Sequence, residues 1–323
     1  MSETGTPTPA ARVTIPIGRS PRWVAITPDG RRAYVAVDEG NADGSTLGGI
    51  SVIDIATNTV TTTIMLGVVA GGPAGVAITP DGRLVYVPLF DRSVVSGVVR
   101  VIDTATNSVT TTVTLSGQGG GPSGVAITPD GRHAYVGTEQ EVNQDQGIVS
   151  VIDVASETVI ARIPENPFPS GIAITPNGRH AYVLDLDSAP AIIDTATHEL
   201  AFPIDRLSSG RIAFAPDGLH AYVTHDAPLI DVIDITTNTL VALIEVDGRA
   251  TDVAITPDGR RAYVSQRSGR NVSVIDIATN KVTGPPIRWS GTANGIAITP
   301  DGLQAYVADR QSQAVVVIPV LSS

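Results

Sequence analysis

The sequence predicts an all-β chain assembled from one repeated four-stranded unit, and three observations carry that expectation. A ten-residue phrase, Ile26-Thr-Pro-Asp-Gly-Arg-Arg-Ala-Tyr-Val35, returns with small changes at Ile78–Val87, Ile127–Val136, Ile174–Val183, Phe214–Val223, Ile255–Val264 and Ile298–Val307. A second phrase, SVIDIATN at Ser51–Asn58, follows each of the first six copies, at Arg100–Asn107, Ser150–Glu157, Ala191–His198, Asp231–Asn238 and Ser273–Asn280. The stretches within these phrases are nearly continuously apolar, as in a sheet sandwiched between two others with both faces covered. The tyrosines at 34, 86, 135, 182, 222, 263 and 306 recur about every 45 residues, within the range of propellers and other repeat arrays.

Each element of the unit has a local cause. In Thr27-Pro28-Asp29-Gly30, proline presets φ for the first corner, aspartate suits the second, and glycine takes the left-handed position that follows. That is a type I turn with a glycine bulge, and its flanks, Val24-Ala-Ile and Ala33-Tyr-Val, read as the first and second strands of a hairpin. The VID phrase supplies the third strand, with its aspartate expected to accept backbone N–H groups in the turn that follows. A Thr/Val-rich run such as Thr59–Leu66 or Ser108–Leu115 supplies the fourth.

The ends of the chain complete the pattern. Arg12–Ile17 resembles a fourth strand, yet it precedes the first unit; Ala314–Val320 resembles a third strand, with Pro319 where other repeats carry aspartate. The N-terminal strand is therefore expected to close the last unit and remove an exposed edge. The predicted fold class is an all-β, seven-bladed β-propeller of four-stranded antiparallel blades. The blades lie near 22–66, 73–116, 122–164, 169–204, 210–246, 250–288 and 294–320 plus 11–17, after a disordered tail at 1–10.

The TPDG…AYV and VIDxATN phrases resemble the YVTN family of seven-bladed β-propellers over nearly the whole chain. Propellers similar to these include surface-layer proteins, redox-enzyme subunits, lactonases and the virginiamycin B lyase-like group, so the resemblance implies a fold and leaves the activity open.

Composition excludes several classes. Net charge is −11, which counts against nucleic acid as a partner, since phosphate contacts need a basic stripe. No cysteine is present, so there is no disulfide framework and no thiolate chemistry. No apolar run approaches the roughly 18 residues that span a bilayer. A cytoplasmic, monomeric protein is expected, with a small molecule as its partner and a protein partner as the alternative. No cofactor is expected; Mg²⁺ or Ca²⁺ remains the open alternative, with the acidic loop 137–148 as one place for weak Ca²⁺ binding. A His-x-Glu or paired-His pattern, which the lyase-like group would suggest, is absent.

Residues present in every repeat are read as structural, because one site does not need seven copies. By that reasoning His133, His180 and His220, beside the PDG turns, are expected to be solvated. Function is expected where repeats differ. The residue just before the first strand's Val/Ile is glycine in four repeats (Gly75, Gly124, Gly171, Gly295) but Trp23, Arg211 and Asp252 in the others. The second residue past the AYV strand is Val37, Leu89 and Thr138, then Asp185, His225, Gln266 and Asp309.

A catalytic set follows from these departures: His225 as base, Asp185 or Asp252 as its orienter, and Arg211 holding an anionic oxygen. The loops add acidic residues on one side (Asp38, Glu39, Asp43, Asp91, Glu139, Glu141, Asp145) and basic ones on the other (Arg19, Arg22, Arg267, Arg270, Arg288, Arg310). Arg22, Trp23, Gln266, Arg267, Trp289, Asp309 and Arg310 are the expected ligand-binding residues, suited to an aromatic or anionic end. The expected function is an enzyme of lyase, hydrolase or isomerase type, lactonase-like by resemblance, acting at the channel mouth. The alternatives are a non-catalytic scaffold and, third, a redox subunit.

Overall fold

The TPDG turns form as their residues require. In the first copy Gly30 N donates to Thr27 O at 2.8 Å, Thr27 N donates to Arg32 O, and Gly30 sits at φ 69°. Asp29 Oδ1 accepts from the Thr27 hydroxyl and from Arg31 N, which holds the aspartate below its usual pKa. The VID aspartates act similarly: Asp54 Oδ1 accepts from Thr57 N and Oγ1, and Asp103 does the same with Thr106.

The computed structural model describes residues 12–40, 46–115, 120–139, 147–165, 169–185, 190–203, 210–225, 227–268 and 271–321. The expected tail 1–10, and Asp43, Glu141, Asp145, Asp226 and Arg270, lie outside the described residues, as does most of loop 137–148. All regular structure among the described residues is β, in antiparallel sheets. Three repeats each give one four-stranded sheet, for example His133–Thr138 between Pro122–Ile127 and Gly147–Asp153, with Thr158–Glu165 outermost. The N-terminal strand Val13–Pro16 pairs with Ala314–Pro319, register Val13 to Val317. No described helix is long and apolar enough to cross a membrane.

Two units depart from the regular pattern. The fourth strand of repeat 1 runs on to Ala70 and pairs through Val69 and Ala70 with Asp91 and Phe90 of repeat 2. This joins the two repeats in one eight-stranded sheet and leaves repeat 2 a first strand of only Ala77–Ile78. In repeat 6 the fourth strand breaks into Lys281–Val282 and Ile287–Arg288. Pro285 and Pro286 between them have no N–H to give the ladder.

The core lies between sheets. Along the second strand of repeat 1, Ala33, Val35 and Val37 pack with Val315, Val317 and Tyr306 of the last sheet, while Tyr34 and Ala36 pack with Val85, Val87 and Leu89 of repeat 2. Alternate side chains thus bury both faces, which explains the continuous apolar run. The tyrosines are all at most 1% exposed, and most of them add a polar latch to an interface. Tyr34, Tyr182, Tyr222 and Tyr306 donate to Asn107, Asn238, Asn280 and Asn58, at 2.8, 2.6, 2.8 and 2.6 Å. Those asparagines all have φ between 51° and 55°, a left-handed conformation that asparagine tolerates well. Tyr135 bonds instead to Nδ1 of His198 at 2.8 Å, and the His133 ring stands edge-on to His198 at 5.2 Å. His133 is thus part of an interface, where the sequence had suggested a solvated turn residue.

Candidate functional site

The departures from the repeat converge because of how the first strands begin. In five repeats a β-bulge falls beside the position in question, as between Pro21 and Trp23 and between Ala250 and Asp252. A bulge re-aims the side chain that follows it. In repeat 5 the backbone of Arg211 is fixed by Thr224: Arg211 N donates to Thr224 Oγ1 and Thr224 N to Arg211 O, both at 2.8 Å.

Around Arg211 several repeats meet. Its guanidinium carbon lies 3.8 Å from the centre of the Trp23 ring, a cation–π contact between repeats 5 and 1. Nη2 reaches Ala74 O of repeat 2 at 3.4 Å, and a Cβ on Gly124 of repeat 3 would stand 3.2 Å from Nη1. A Cβ on Gly295 would meet Trp23 Cα at 2.8 Å. Glycine at these positions is what makes room for Trp23 and Arg211 in the channel. Asp252 of repeat 6 accepts from Ile296 N at 3.0 Å and from Val253 N at 2.9 Å. Burial pushes its carboxyl up to about 6, against the opposing pull of Arg211. Burial likewise lowers the pKa of Arg211, with Asp252 opposing.

Above this floor opens a cavity of about 360 Å³, lined by residues of repeats 1, 4, 5, 6 and 7. Among the described residues its wall carries Arg22, Arg211, Arg249, Arg267 and Arg310, together with Trp23 and His225, and no carboxylate. Ser170, Thr224, Thr251 and Asn294 supply neutral hydrogen-bonding groups. Six of the expected residues (Arg22, Trp23, Arg211, His225, Arg267 and Arg310) therefore share one wall.

The other expected residues are elsewhere. Asp185 is 2% exposed at the end of its strand, and Gln266 is fully buried with Nε2 donating to Ser273 Oγ at 3.0 Å; neither lines the cavity. Trp289 donates its indole N–H to Asp309 at 2.9 Å, and Asp309 also accepts from Thr292 N and Ser312 N. That pair braces a loop. Arg22 is engaged by Asp38 at 2.6 Å and Arg19 by Glu39, so the acidic and basic groups of repeat 1 neutralise one another.

The carboxylate in contact with His225 is Asp231, whose Oδ2 stands 2.8 Å from Nε2, with both side chains largely buried. Asp252 lies deeper, beside Arg211. The signal for Asp231 was present: it opens the phrase DVIDITTN, where three repeats have serine. The other charged residue at that position, Arg100, pairs across its hairpin with Asp91 at 2.6 Å. Arg249 was also missed, in a short loop with no motif. Among the described residues no group of three or more His, Asp or Glu side chains could hold a metal ion.

A solved structure of the hydrazine synthase of Kuenenia stuttgartiensis is similar over all of both chains, with a TM-score of 0.79 at 20% identity. The fold is of the β-propeller type. At that identity the likeness is one of fold alone. No family model matches the chain, and no curated protein matches it.

Proposed function

We propose that this propeller binds a small anionic molecule at the mouth of its axial channel. One observation carries the reading: five arginines and a histidine line a single cavity with no carboxylate among its described lining residues, in a chain of net charge −11. Guanidinium groups match carboxylate and phosphate oxygens with paired N–H donors, and partial burial strengthens each contact. The architecture belongs to the same proposal. A closed ring of seven blades of YVTN type is supported by the strand Val13–Pro16 in the last sheet and by the Tyr306 latch from the last repeat to Asn58 of the first.

The His225–Asp231 contact favours a second reading, an enzyme of lyase, hydrolase or isomerase type. In it His225 takes a proton from the bound anion, Asp231 rather than Asp185 or Asp252 holds the imidazole, and Arg211 stabilises the negative oxygen that develops. The test is incubation of the purified chain with a mixed metabolite extract, followed by mass spectrometry of what is retained and what is consumed. Anions retained in preference to neutral and cationic compounds are expected. Consumption that His225→Ala abolishes would make the protein an enzyme; retention of neutral or cationic compounds alone would overturn the proposal.

A further inference from the structure

We propose that the ligand carries two separate anionic groups, one seated on Arg211 in the depth of the channel and one on Arg267 and Arg310 at its rim. This rests on the anion-binding reading above and narrows it to a class: small dicarboxylates or phosphorylated acids.

Two of the cations on this side are already neutralised. Arg22 is held by Asp38 and Arg19 by Glu39. Among the described residues, Arg211, Arg267 and Arg310 have no ion pair within 4 Å. Arg211 is enclosed by Trp23 and the strand starts of neighbouring repeats, with the Asp252 charge near it but no ion pair within 4 Å, so an anion in direct contact still offsets the cost of burying its guanidinium. One compact anion on Arg211 leaves the rim unsatisfied, because Arg267 and Arg310 are exposed and follow the second strands of two other repeats. Their main chains are fixed: Arg267 N donates to Arg249 O at 2.9 Å and Arg310 N to Thr292 O at 3.2 Å. The two rim arginines are therefore anchored at their main chains, on different repeats from Arg211.

Size bounds the ligand from the other side. A volume of about 360 Å³ is near the lower end for small-molecule pockets, enough for a compact diacid. The aromatic face is not free to stack a base, since Arg211 covers Trp23. The neutral groups of the same wall (Ser170, Thr251, Asn294) suit hydroxyl or carbonyl oxygens on the linking carbons.

Calorimetric titration of the full chain with matched probes tests this: succinate against monomethyl succinate, and phosphoglycolate against glycolate. In each pair the probe with two anionic groups is expected to bind about tenfold to a hundredfold more tightly than its partner, the range for one added charge-assisted contact. Preference within only one pair identifies that anion type as the second group. In Arg267→Gln/Arg310→Gln, monoanion affinity should persist while the advantage of the second anionic group disappears. Arg211→Gly, which restores the residue of four other repeats, should weaken all four probes; Arg211→Met keeps the channel filled if the glycine variant fails to fold. Equal affinity within both pairs overturns the two-anion proposal and leaves the single-anion reading intact. Binding of none of the four overturns both.

Discussion

Glu157 stands where four other repeats place an asparagine that receives a tyrosine hydroxyl. Its backbone has the same left-handed conformation, φ 54°, but a carboxylate there leaves the buried Tyr86 hydroxyl without a hydrogen-bond partner among the described residues. Burial, with the Glu157 charge second, drives the pKa of Tyr86 upward. Glu157→Asn is therefore expected to stabilise the protein by about 1–2 kcal/mol, by supplying an acceptor and relieving the backbone. A higher denaturant midpoint at unchanged slope is the expected outcome; an unchanged midpoint would mean the hydroxyl already has a partner. At this scale the sequence was informative about identity and silent about direction. His225 could be singled out as the only histidine at its repeat position, where the first three repeats carry valine, leucine and threonine. Asp231 also stood out in its own phrase, but that the two would pair was not legible, because the contact depends on how the hairpin registers, with a shift between Thr224 and His225. The sequence likewise offered Trp289 and Asp309 as two ligand-binding residues, and they bind each other.

Among the strands, the hairpins were legible because each carries its own turn chemistry, and the TPDG phrase fixes where the chain reverses. Fourth strands were less so. They hold no motif, and their length depends on what the neighbouring sheet leaves open. Repeat 1 runs on to Ala70 and captures the edge of repeat 2, whereas repeat 6 is interrupted at Pro285 and Pro286. The two short pieces of repeat 6 share only four register pairs with the third strand. Amide hydrogen exchange should therefore be faster across Lys281–Arg288 than across the seven-residue outer strand Thr239–Glu245 of the preceding repeat. Equal protection of the two would mean that prolines do not weaken this edge.

For the whole molecule, the interfaces respond together to pH. Burial raises Tyr182, Tyr222 and Tyr306 to about 12, well above the ordinary tyrosine value near 10. A raised folded-state pKa gives stability that is complete below the unfolded value and lost as pH rises through the folded one. The melting temperature should hold steady just below about pH 10 and fall from there towards 12, with the loss steeper than one group produces. A flat profile through pH 11 would show that the latches do not govern stability. The same arrangement explains why the fold was readable and the ligand was not: seven copies of one phrase specify how neighbours pack, while the cavity is made by single residues brought together from distant repeats.

The pairing of Val13–Pro16 with Ala314–Pro319 also sets a timetable for biosynthesis. The first strand made must wait for nearly the last, an interval of roughly 15 to 60 seconds at ordinary elongation rates. Until then an apolar strand and an unfinished sheet are both open to other chains. The last sheet stays incomplete until residues 314–319 are made, and a nascent chain stalled before residue 314 would be a substrate for chaperones rather than a shorter working protein.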